Sequence, residues 1–256
     1  MRVWWKVFQA SVQTRFEYHW DVILRILGAF MVQMSALGFL WVVIHQAGDI
    51  NGWPVSQVLL LMGLVGMGQG ISELLFDNVW RLPSIIVRGD LDRLLVYPVR
   101  TLPFLMISYP EIHSIGNFGM GLVFTVTALA INHAGPAAWL LVPVWAVCTC
   151  LTYTSILLVA ASVSFSALGP GDYLYSFYHL FHANRYPLSA YPKVMQFIFL
   201  FIVPFGACIF VPGEWVTGRI TGWWWGLLPV PVAGICMVAA ILAWKAGLKR
   251  YESAGA

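Results

Sequence analysis

The sequence predicts an all-α membrane protein whose chain crosses the bilayer six times. Three observations carry that prediction. Of 256 residues, 60% are hydrophobic and only 10% are charged, with a mean hydropathy of +0.78; a soluble surface needs roughly 25% charged residues. Six apolar segments approach the roughly 20 residues that a helix needs to cross about 30 Å of hydrocarbon. Finally, the positive charges segregate between the two sets of connectors, as they do when cytoplasmic loops hold the Lys and Arg.

The six segments are 22–44, 55–76, 112–131, 138–166, 194–211 and 225–244. Connectors at 48–54, 132–136 and 212–215 carry the Gly and Pro that end helices. With six spans, Arg2, Lys6, Arg15 and Arg25 share a side with Arg81, Arg88, Arg93 and Arg100 of the 77–111 connector. Arg185 and Lys193 of the 167–193 connector join them, as do Lys245, Lys249 and Arg250 of the tail. Only Arg219 lies opposite, so thirteen of the fourteen Lys/Arg fall together. Both termini are therefore expected in the cytosol, with residues 22–256 forming a single transmembrane domain.

Residues 1–21 lack the compact apolar core of a cleaved signal peptide. They read as an amphipathic interfacial helix, with Val3, Val7 and Phe8 toward lipid and Arg2, Lys6, Gln13 and Glu17 toward water. A plain membrane anchor and a docking helix fit this stretch equally. The 77–111 connector mixes Ile85, Ile86, Leu91, Leu94 and Leu95 with Arg88, Asp90, Asp92 and Arg93 between Pro83 and Pro98. It is too charged to cross lipid and too apolar to stay in water. One or two short surface helices broken near Gly89 are expected, and apolar residues ringed by both signs of charge suit a protein partner. The Gly- and Pro-studded stretch 212–231 predicts a re-entrant excursion before the sixth span, anchored by Trp223, Trp224 and Trp225.

Polar residues inside spans mark the candidate site. The second span carries Gly63, Gly66 and Gly70, with Gln69, Glu73 and Asp77 continuing nearly the same face. Small residues let helices approach closely, and an intramembrane carboxylate faces a bundle interior, a wet path or a cationic partner. Gly66, Gln69, Gly70 and Glu73 therefore mark a transport path or dimer seam, or else Glu73 simply pairs with Arg81. Glu111, with His113 at the head of the third span, suits the positive end of a helix dipole. His179 and His182 lack the Cys, Asp or Glu partners of a metal site. The four cysteines form no CxxC and read as small apolar residues. No Lys/Arg run suits nucleic acid, and no GxxxxGK[ST], GxSxG or HExxH motif occurs. No metal or cofactor is expected on this chain.

The stretch from Val87 to Leu105 resembles the connector pattern of ABC-2 family transporter permeases, in a bacterial six-span branch. Its most specific part is G-D-L-D-x-L-L-x-x-P from Gly89 to Pro98, with one residue fewer between Arg88 and Gly89 than the family pattern. Phe16, Tyr18 and Asp21 before the first span, and the proline-bearing 201–212 stretch, fit the same branch. The resemblance implies the membrane subunit of an ATP-driven exporter in the bacterial inner membrane. It implies that ATP and Mg sit on a separate ATPase subunit, and that Arg88, Gly89, Asp90, Leu91, Asp92, Arg93, Leu94 and Leu95 form the helix docked to it. A second permease, identical or homologous, would complete the pathway. Two other classes stay open: an intramembrane lipid-modifying enzyme using Asp172, His179 and His182, and an assembly protein without transport. Co-purification with a P-loop ATPase separates the first reading from both.

Overall fold

The computed structural model describes residues 19–166 and 172–251. The interfacial helix expected over 1–21 lies outside the described residues, apart from 19–21, which open the first long helix. The chain runs through α1 (His19–Ala47), α2 (Val55–Phe76), a 3-10 continuation (Asp77–Arg81), and three short helices, α3 (Leu82–Val87), α4 (Asp90–Leu95) and α5 (Thr101–Ile107). It continues through α6 (Ser114–Ile131), α7 (Pro136–Ser162) and α8 (Leu174–Ala183), then α9 (Lys193–Phe197) with a π-helical extension (Ile198–Ile202). The last three are α10 (Phe205–Val216), α11 (Trp223–Leu227) and α12 (Pro229–Leu248). Among the described residues there is no strand, only an isolated bridge between Ile50 and Trp53. The all-α membrane class holds.

Helix α2 is the axis of the bundle. Some 83% of its most apolar window is buried, against 11% for α1. It packs most extensively on α6 and also on α7, while α12 lies along α7 and α1 rests mainly on α6. Glycine explains the tight α2–α6 seam. A Cβ on Gly63 would collide with Thr125, one on Gly70 would sit 2.5 Å from the Phe118 backbone N, and one on Gly121 would collide with the Met67 backbone. Without a strong hydrophobic drive between helices in lipid, such close packing is what holds them together.

Four of the expected spans match single long helices closely; the fifth does not. The segment expected at 194–211 is two pieces, Lys193–Ile202 and Phe205–Val216, meeting at 106°. Pro204 lacks an N–H and pushes Val203 out of the helical region, to φ −122, ψ 74. Among the described residues, five helices are thus long and apolar enough to cross, and six result only if the bent pair counts as one span. The irregular backbone at Val203–Pro204 borders an apolar cavity of about 380 Å³ lined by Ile156, Val159, Tyr173, Phe177 and Ala239.

The re-entrant excursion expected at 212–231 lies earlier than anticipated: α11 and α12 run together as one apolar span, Trp223–Leu248, and the bent pair before it, Lys193–Ile202 with Phe205–Val216, has the form of a broken span or a re-entrant loop. Pro229 and Pro231 fall in the first turn of α12, where the missing N–H has no helical partner to lose. The break in this half of the chain lies earlier, at Pro204. The 167–193 connector needs a second correction. Tyr173 meets Ser164 near the C-terminal end of α7, yet Asn51 donates to the Ser189 carbonyl at 2.6 Å. The segment therefore runs from the 164 end of the bundle to the 48–54 end. Arg219 reaches that same loop, donating to the Gly52 carbonyl and to Gln57 Oε1. Lys193, just beyond Ser189, and Arg185, inside the bundle, leave the group of charges expected on one side.

Candidate functional site: a polar cavity between four helices

The site grows from the glycine seam. One turn beyond Gly66 and Gly70, α2 presents Gln69 and Glu73, both buried. Gln69 Nε2 donates to Glu73 Oε1 at 2.6 Å, and Asn117 Nδ2 of α6 donates to Glu73 Oε2 at 3.1 Å. The Glu111 backbone N–H donates to the Glu73 carbonyl at 3.2 Å. The carboxylate is thus held by two amides from two helices, and its direction is set. Arg81 does not pair with it: the guanidinium stacks on the Tyr109 ring, 3.5 Å from the centroid, an attraction of cation to ring face. The pairing reading of Glu73 is therefore overturned, whereas the close-packing reading of Gly66 and Gly70 describes a seam within the chain.

Beside Glu73 lies a cavity of about 250 Å³. Gln69 and Glu73 of α2, His113 and Asn117 at the head of α6, and Ala29 and Val32 of α1 line it. Tyr178 of α8 and Arg185, just after it, complete the wall. Arg185 Nε has no hydrogen-bond partner, and neither do Gln69 Oε1 or both ring nitrogens of the adjacent His182. Buried polar atoms are nearly always satisfied, so such a cluster of orphans marks a place built for something besides folding. Four elements meet here: the α2–α6 seam fixes Glu73 and Asn117, and α8 brings Tyr178 and Arg185. The α8 helix is pinned by Phe181, whose ring lies 4.3 Å from Tyr153 of α7 and 4.9 Å from Phe205 of α10.

Glu111 stands two residues before His113, the N-cap of α6, and its Oε1 lies 3.1 Å from His113 Nδ1. The Glu111 carboxylate against the ring lifts the His113 pKa above the ordinary value, with burial opposing. A histidine whose folded-state pKa is raised stabilises the protein fully below its unfolded value, about 6.5, and loses that contribution as pH climbs through the raised value. We expect the melting temperature of the purified protein to fall as pH rises above about 6.5, and His113→Gln to flatten that part of the profile. An unchanged slope in the variant would remove His113 from the account.

Of the residues anticipated for this site, Gln69 and Glu73 line the cavity, while Gly66 and Gly70 hold α2 against α6. Arg185, Asn117 and Tyr178 were not anticipated. Asn117 was readable as an amide in the first turn of an otherwise apolar span, but Arg185 looked like one more cytoplasmic positive charge. Among the described residues, no group of three or more His, Cys, Asp or Glu side chains is placed to hold a metal ion.

The anticipated docking stretch lies at the far end of α2. Gly89, at φ 74, turns the chain between α3 and α4, a left-handed conformation that glycine adopts without steric cost. Leu91 points inward and is fully buried against the chain's own core. Outward lie Arg88, Asp90 and Arg93, and the exposed apolar residues are Val87, Leu95, Tyr97 and Val96, the last 84% exposed.

A bundle of long apolar helices around a polar cavity, with a charged helical platform at one end, describes a multi-pass membrane protein. Residues 29–255 match the family described as ABC-2 family transporter protein, so the chain belongs to that family and is a membrane component of a transporter. Neither the curated proteins nor the solved structures contain a match.

Proposed function

We propose that this chain is the permease subunit of an ATP-driven exporter, working in the bacterial inner membrane with both termini cytosolic. Two membrane subunits, identical or homologous, form the pathway, and a separate ATPase subunit binds ATP and Mg. The observation that carries the reading is the α3–α4 platform. A protein with 10% charged residues sets Arg88, Asp90 and Arg93 around an exposed apolar knob, on an extension of its most buried helix. Movement imposed on such a platform passes directly into α2, the helix that carries Glu73. Buried Leu91 anchors the platform. The knob, Leu95 to Tyr97, fills a cleft in the ATPase, while the charges orient it.

The test is co-purification of a P-loop ATPase with the full-length chain from membranes, together with transport activity. Val96→Asp with Tyr97→Ala is expected to weaken capture by at least about tenfold, the loss of roughly 1.4 kcal/mol or more, while the permease itself still folds. Leu91→Ala should instead lower yield of the permease. Normal capture and transport by the Val96/Tyr97 variant would make the platform a lipid-surface element and defeat the reading.

A further inference from the structure

The polar cavity holds two opposite charges that do not touch. Glu73 and Arg185 both line it, yet no ion pair joins them. Burying a charge without a partner is costly in a protein interior, and more so at membrane depth. In a site shaped only for stability the two would close on one another. Here side-chain contacts hold them apart: the Glu73 carboxylate is tied by the Gln69 and Asn117 amides, and Arg185 follows a helix pinned through Phe181. The gap between them is about 250 Å³, near the volume of eight liquid waters at roughly 30 Å³ each. That suits a polar head group and falls short of a whole drug-sized molecule, whose pockets run from about 300 Å³ upward. Beyond the polar groups of α2, α6 and α8, His113 and Tyr178 among them, the wall is apolar, Ala29 and Val32 of α1, and Val32 is 58% exposed. The cavity thus borders the lipid-facing side, where an acyl chain is at home.

We infer that this cavity receives a zwitterionic head group bearing an oxyacid anion and an ammonium, with the anion on Arg185 and the ammonium on Glu73. The planar guanidinium offers a fork of donors to an oxyacid, and Glu73 beside the acceptor Gln69 Oε1 offers oxygens to an ammonium. Either pole alone would leave the other buried charge unmatched. The inference rests on the permease reading for its meaning in transport, and it names the substrate class that the pathway takes.

The experiment uses the purified full-length chain in detergent, without any ATPase, so its outcome is independent of the co-purification result. Three probes are titrated by their effect on melting temperature: dihexanoyl phosphatidylethanolamine, dihexanoyl phosphatidylglycerol, which lacks the ammonium, and free glycerophosphoethanolamine. Phosphatidylethanolamine is expected to bind at least about tenfold more tightly than phosphatidylglycerol. Glu73→Gln should bring that preference close to one. Arg185→Gln should weaken every probe, and Val32→Phe, which fills the cavity from the α1 side while removing no polar group, should do the same. Binding of the free head group as tightly as the lipid would assign recognition to the head alone, and a clear advantage for the lipid would add the α1 wall to the site. Equal binding of the two lipids by the natural sequence, or no binding of phosphatidylethanolamine, overturns the inference. So does normal binding by Val32→Phe, which decides the matter even where Arg185→Gln fails to fold.

Discussion

Gly121→Val is expected to abolish accumulation of folded protein, with the monodisperse fraction after detergent extraction falling by about tenfold or more. The Cβ alone would strike the Met67 backbone and press on Gly66 and Gly63 of the opposing helix. Backbone cannot rotate away as a long side chain can, so α2 and α6 must separate along their whole seam. Overpacking ordinarily costs about 1–3 kcal/mol; here the seam also carries the amides that hold Glu73, so loss of helix contact exposes a buried carboxylate as well. Gly119→Val, on the same helix where an added Cβ meets nothing within 4 Å, is the control and should accumulate normally. Size-exclusion profiles of the two variants side by side check the prediction; equal profiles would mean that the seam is not what holds the bundle.

Phe181→Ala should cost about 3–5 kcal/mol, the range for truncating a buried aromatic ring. The ring is fully buried and wedged between Tyr153 and Phe205, in geometries that favour aromatic pairs beyond their area alone. Removing it leaves a void among three helices and frees α8, which carries Tyr178 and precedes Arg185. The variant should therefore lose thermal stability and, in whatever fraction still folds, head-group binding. Phe181→Leu, which refills most of the space, should recover most of both. Loss of binding in Phe181→Ala with an unchanged melting temperature would show that α8 is held by something else.

These two residues differ in how visible they are in the sequence. The glycines of the second span repeat at helical spacing, so their seam, the span itself and the neighbouring Glu73 could all be read from the chain. Gly121 is the other half of that seam, and nothing local distinguishes it from Gly116 or Gly119. The α8 region was hidden for a different reason. A ten-residue helix rich in Tyr, Phe and His is too short for a span, and its Arg185 obeys the same charge rule as a true surface arginine. Only the packing of Phe181 against rings distant in sequence draws it inside. The bend in the fifth segment was hidden for a third reason: hydropathy reports apolar length, and Pro204 preserves the length while breaking the direction. The two short helices broken at Gly89 are legible along the chain, but which leucine faces outward depends on where Gly89 turns the backbone, and that rotation places Leu91 inside.

The light attachment of α1 gives the cavity one compliant wall among stiff ones. Resistance to displacement in a packed interior comes from many small interatomic attractions, and α1, with only 11% of its apolar window buried, has few of them. Its neighbours α2, α6 and α8 carry the charged and amide groups, and they are locked by glycine contact and aromatic wedging. Capacity and charge pattern therefore belong to separate parts of the molecule. Substitutions along the inner face of α1 at Ala29 and Val32 can retune how bulky an occupant fits while leaving the electrostatic imprint intact, so a lineage of such proteins can drift in size preference without surrendering its polar selectivity.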